Sequence, residues 1–137
     1  MKNRTVLREI IIKVLYQIYI LDKADIKYDI DSLIKEHMDV ENEFVYEMVH
    51  GVISKQDEIS ELANKYLENW TIDRLSKVDK AIISLGIYEL MYTNTPSIVC
   101  INETIELSKL YSDPEVSKMI NATMDKIYKN EDLNGKE

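Results

Sequence analysis

Glu47 and His50 stand three residues apart in a helical stretch, the spacing with which helical di-iron sites aim two ligands at one metal. Such a centre needs the motif twice and two further glutamates, whereas Glu47-Met48-Val49-His50 occurs once. A solvated or hydrogen-bonded helix face is expected there, and no metal. His37 and His50 are the only histidines available as bases for a hydrolytic triad. Neither lies beside a glycine-framed serine or an exposed cysteine. Cys100, the single cysteine, sits in an apolar helical run and reads as a buried thiol rather than a nucleophile. No glycine-rich phosphate loop of either familiar spacing is present. The chain therefore offers no catalytic residue and calls for no cofactor.

Binding chemistry is better represented. Arg4 and Arg8, four residues apart, share one helical face and could neutralise phosphates or stand as a solvated face. Tyr16 follows two turns later, as either a half-buried core ring or an exposed aromatic. Near the other end, Lys109, Tyr111, Lys118, Met119 and Asn121 flank a turn between two helical runs. A lysine there neutralises phosphate without reading sequence, an aromatic ring offers a face to an unpaired base, and an asparagine amide bonds base edges. Asp79 is a lone carboxylate near the start of a nearly all-apolar run, where the helix dipole favours it by about 0.3–1 kcal/mol. Glu89, Asn102, Glu103 and Glu106 interrupt apolar stretches and read as structural groups that bond helices together, since unpaired they would cost about 1–3 kcal/mol each.

The elements that must hold these residues are helices. Three glycines and two prolines in 137 residues leave too few turn formers for a many-stranded sheet, and 45% hydrophobic content is enough for one core. The steps Leu7, Ile11, Val14, Ile18 and Leu21 predict a helix over Arg4 to Leu21. A second covers Asp31 to Met38, capped by Asp29 or Asp31. A third begins near Val40 and passes or breaks at Gly51, its pattern resuming through Ile59 to Leu67. A strongly apolar helix from about Lys77 to Tyr92 should lie centrally in the second half, and Gly86 inside it predicts close approach of another helix. Ser97 is placed as cap of a helix reaching Tyr111. Asp113-Pro114 opens the last helix, Glu115 to Lys129, and residues 130–137 read as a frayed tail. The fold class is all-α, six or seven helices, with residues 1–69 and 70–129 forming two groups that meet near Trp70. No run approaches the roughly 18 apolar residues of a membrane span, and no signal segment opens the chain, so a soluble protein of the reducing cytoplasm is expected.

Net charge is −8 but uneven: residues 1–27 carry six bases against three acids, and residues 28–76 four against twelve. Only the N-terminal segment has an electrostatic case for touching nucleic acid.

Reading in order, Arg8-Glu9, Leu15-Tyr16, Val78-Asp79-Lys80-Ala81-Ile82-Ile83, Tyr88-Glu89-Leu90, Pro96, Ile101-Asn102-Glu103, Glu106-Leu107 and Ile120-Asn121-Ala122 closely resemble the pattern of the NusB family of bacterial transcription antitermination factors. The likeness is collinear over more than a hundred residues. It implies a helical bundle of two packed subdomains and no enzymatic activity. It implies RNA contact by Arg4, Arg8, Tyr16, Lys109, Tyr111, Lys118, Met119 and Asn121. Asp79, with Val78 and Ile82 as apolar rim, would meet NusE, a basic small-subunit ribosomal protein. The RNA would be the single-stranded boxA element of ribosomal RNA leaders, and the assembly would modify elongating RNA polymerase. Monomer and homodimer are equally compatible with the pattern. Three departures stand out: Met119 where the family has an aromatic ring, Ala122 for a glycine and Ser84 for an arginine. They keep two rivals in view, an adaptor that binds NusE with weak or no RNA binding, and a NusB-like RNA-binding domain related to that of an rRNA cytosine methyltransferase, which would need a following catalytic domain.

Overall fold

In the computed structural model, which describes residues 3–133 and 135–136, the chain folds into seven α-helices and one short 3-10 turn, with no strand among the described residues. The helices are α1 (Arg4–Lys23), α2 (Ile30–Glu36), α3 (Glu43–Ser54), α4 (Gln56–Tyr66), α5 (Lys77–Tyr92), α6 (Ser97–Tyr111) and α7 (Pro114–Asn130), the 3-10 turn being Ile72–Arg74. Lys2 of the basic N-terminal segment lies outside the described residues, as do Asn134 and Glu137 of the tail. Among the described residues no helix is long and apolar enough to cross a membrane.

Local chemistry sets the helix ends. The Asn3 side chain accepts from the Val6 N–H and starts α1. At its other end Asp25, at φ 57°, turns the chain so that its own N–H reaches Asp22 and the Ile26 N–H reaches Leu21. An aspartate tolerates this left-handed position, which glycine more often fills. Of the two candidate caps for α2, Asp29 is the one used: it accepts from the Ser32 N–H at 3.0 Å. Ser76 caps α5 through the Asp79 N–H. Pro114 opens α7 as expected.

One open alternative is resolved and two expectations are corrected. The third helix passes through Gly51, and the fourth follows it after Lys55. Gly51 marks a contact, because a Cβ there would come within 2.1 Å of the Tyr88 hydroxyl on α5. Ser97 is the first residue of α6 rather than its cap, and its hydroxyl is buried without a partner among the described residues. The tail does not simply fray. Leu133 is buried, and the Lys136 ammonium donates to the Glu89 and Leu90 carbonyls at the end of α5.

Helix α5 is the axis of the molecule. It packs against α1, α3 and α4 from the first half and α6 and α7 from the second, so both groups of helices share one core. Its buried residues include Ala81, Ile82, Ile83, Leu85, Ile87 and Leu90, which is why its apolar pattern runs nearly all round. Gly86 lets α6 approach: a Cβ there would lie 2.5 Å from the Thr104 hydroxyl and 3.2 Å from Met124 of α7. Trp70 itself is exposed, with the Arg74 guanidinium over its ring.

Candidate nucleic-acid interface

Two polar links tie the end of α6 to the other helices. The Tyr111 hydroxyl donates to Glu9 of α1 at 2.6 Å, and the Ser112 hydroxyl donates to Asp79 at the start of α5. The first link leaves the Tyr111 ring exposed on the surface. It also raises the phenol's pKa, through the bond to Glu9 first and burial second. Along α1, Glu9, Lys13 and Tyr16 follow at steps of four and three and share a face. Tyr16 and Lys13 are both exposed. Lys13, which the sequence reading counted only as charge, pairs with no described acid; its position on the face of Tyr16 was the available signal.

The α6–α7 turn brings four more of the expected residues together. The Ser108 and Ser117 hydroxyls bond at 2.7 Å, clamping the helices at the residues just before Lys109 and Lys118. Both lysines are exposed. Lys109 makes a 3.4 Å contact to Glu106 on the same helix, an exposed pair of small energetic weight. Lys118 pairs with no described acid. Asn121 is exposed one turn later, and Met119 is half-buried against the core.

Arg4 lies elsewhere. It is exposed, its guanidinium 4.2 Å from the centroid of the Phe44 ring. It lines an open groove of about 620 Å³ with Phe44, Glu47 and the Thr93–Pro96 connection. That groove sits at the start of α6 and Tyr111 at its end, about 20 Å apart at 1.5 Å per residue.

Three residues expected at the surface are not there. Arg8 is 3% exposed. Its Nε and Nη2 meet Glu89 at 2.6 and 2.8 Å, and its Nη1 meets Glu103 at 3.1 Å. Three of its five N–H donors are spent inside the protein, and the nearly complete burial of the group keeps it from the surface face expected of it. Two buried or half-buried carboxylates hold its pKa above the ordinary value against the effect of desolvation. Ile82 is fully buried in the core and supplies no rim. Asp79 is 8% exposed and accepts from Ser112, so it braces the α6–α7 turn rather than reaching out to a partner. Val78, partly buried against the core, is what remains of the expected rim.

The polar interruptions divide in the same way. Glu89 and Glu103 join α1 to α5 and α6, Glu103 accepting also from Thr5, whereas Asn102 and Glu106 are exposed. Ser84, one of the three departures, is fully buried and accepts from Gln56 at 3.2 Å, so that substitution does not touch the surface. His50 pairs with Asp31 at 2.6 Å, and no group of metal-ligating side chains occurs among the described residues. Burial pushes the Cys100 thiol up to about 11, far from a nucleophile's range.

A NusB family model matches residues 5–129. The transcription antitermination protein NusB of Macrococcus caseolyticus is 36% identical over 130 residues, covering 93% of this chain and 98% of that protein. The protein of the same name from Bacillus subtilis is 37% identical over 130 residues, covering 93% and 95%. Among solved structures, T. maritima NusB superposes with a TM-score of 0.81 at 28% identity, covering 94% of this chain and 92% of the other. A structure of the antitermination factors NusB and NusE in complex with double-stranded RNA has a chain that aligns with a TM-score of 0.78 at 24% identity, covering 93% and 97%, a likeness of fold.

Proposed function

Because this chain belongs to the NusB family of transcription antitermination factors, we propose that it docks NusE and, as that heterodimer, binds the single-stranded boxA element of ribosomal RNA leaders, so modifying elongating RNA polymerase. The family is one of binding factors, not enzymes, and no bond is made or broken. The reading rests on one observation above others: the Glu9–Tyr111 bond joins the exposed α1 face of Lys13 and Tyr16 to the α6–α7 turn with Lys109 and Lys118. An exposed ring between exposed lysines suits an unstacked base and its flanking phosphates. Val78, beside the same turn through its neighbour Asp79, would border the NusE contact. Each partner contributes weak contacts, and joining them raises the joint affinity. A solved assembly of relatives of this fold with NusE and RNA lends the reading further support.

The test is titration of fluorescent boxA RNA with NusE, with and without this protein, in moderate salt. Binding about tenfold tighter or more is expected when the protein is present, the scale at which linked weak sites act. A second reading, an adaptor that holds NusE with little RNA affinity, is favoured by the loss of Arg8 to an internal ion pair and by Met119 in place of a ring. No tightening with RNA, alongside intact NusE binding, would select it.

A further inference from the structure

The α2–α3 connection and the first turns of α1 enclose an apolar groove of about 360 Å³ on the side of the molecule where α1 meets α2 and α3. It is lined by Leu7 and Ile10 of α1, by Met38 and Val40 of the connection, and by Asn42 and the exposed Asp39 and Glu41. Val40 is 81% exposed, the most exposed large hydrophobic residue among those described. Val40 stands in the bend of the connection next to the half-buried Met38, so the loop presents apolar surface at the edge of the groove.

Charge specifies the occupant. No lining residue of the groove is basic. Glu41 continues into a neighbouring hollow with Asp31, Glu43 and Tyr46, where Lys35 is the one base. Residues 28–54, which contain α2, the connection and α3, carry seven acids against one base. Nucleic acid and anionic lipid are repelled by such a rim. Two copies meeting groove to groove would bring two acidic rims together, a like-charge arrangement that costs energy. What complements both features is a basic polypeptide segment with one or two large apolar side chains between its lysines or arginines.

We propose that the groove between α1 and the α2–α3 connection is a docking site for a basic, apolar-anchored segment of a partner protein. The site stands apart from the α6–α7 face and does not depend on the RNA reading. An apolar anchor would enter between Leu7, Ile10, Met38 and Val40, and flanking cations would meet Asp39 and Glu41. The acidic rim speeds encounter and rejects acidic competitors, while the anchor sets residence time.

The full chain, isotopically labelled, is titrated with a short synthetic peptide of leucine pairs flanked by lysine pairs, and backbone shifts are followed by NMR. Saturable shifts confined to Leu7, Ile10 and residues 38–42 are expected. Val40→Ser and Glu41→Lys should each weaken binding about tenfold. Because both side chains are exposed, neither change should move the melting temperature. Shifts centred elsewhere, or equal affinity for the variants, would overturn the proposal. So would groove signals that move with protein concentration in the absence of peptide, since a second copy would then be the occupant.

Discussion

The Arg8 guanidinium grips the Glu89 carboxylate at two points, 2.6 and 2.8 Å, across a separation of 81 residues. Both side chains are almost wholly buried, 4% and 3% exposed. This contact, with Glu103 as a third partner, fixes the start of α1 against the end of α5 and so aims the exposed face of α1 toward α6.

Removing one partner leaves a buried charge without compensation. Arg8→Ala or Glu89→Ala should therefore cost about 3–5 kcal/mol in urea unfolding. The paired replacement Arg8→Met with Glu89→Leu should recover most of that loss, because a well-packed apolar pair avoids the desolvation cost. The salt dependence of RNA binding should be unchanged in the double variant, since Arg8 reaches no phosphate.

Gly86→Ala should destabilise by about 1–3 kcal/mol despite the better helix propensity of alanine. The new methyl would strike the Thr104 side chain at 2.5 Å. Thr104→Ala in the same chain should relieve the clash, so that the double variant unfolds at higher urea than Gly86→Ala alone.

Lys118→Glu should leave thermal stability unchanged and weaken RNA binding, with the salt slope of the ternary complex reduced by about one unit. Asp79→Asn should behave in the opposite way. It weakens the brace to Ser112 and the favourable first-turn charge, so a lower melting temperature is expected with little change in slope.

Glu131 ties α7 to α4 through Lys65 at 2.8 Å and the Tyr66 hydroxyl. Those bonds hold its carboxyl below the ordinary 4.5. A group whose folded pKa is lowered contributes stability that is complete above its unfolded pKa and lost as pH falls through the folded value. Unfolding measured across acid pH should therefore show a smaller loss of stability below about pH 4.5 in Glu131→Gln than in the unaltered protein.

The helices were legible because their signals are local: apolar steps of three and four, Ser76, Pro114, and Gly86 as the mark of a close helix contact. The break at Lys55 was not, and whether the helix passes or breaks at Gly51 stayed open, because a glycine can mark a stop or a close contact until Tyr88 is seen against it. At the site, Tyr111, Lys109, Lys118 and Asn121 were placed correctly at the surface because they flank a turn. Arg8 and Asp79 were not, since a charge at a helical step reads the same whether its partner is water or a group far along the chain, Glu89 for Arg8 and Ser112 for Asp79. The packing of Leu133 and Lys136 on the end of α5 had no periodicity to reveal it.

The proposed path of the RNA runs across the α6–α7 turn and the adjoining face of α1. Photocrosslinking boxA RNA carrying 4-thiouridine to the complex with NusE, followed by peptide mapping, tests it directly. Crosslinks within residues 109–121 and at Tyr16 are predicted. Crosslinks confined to NusE, or to the acidic α2–α4 surface, would put the RNA elsewhere and rule out that path.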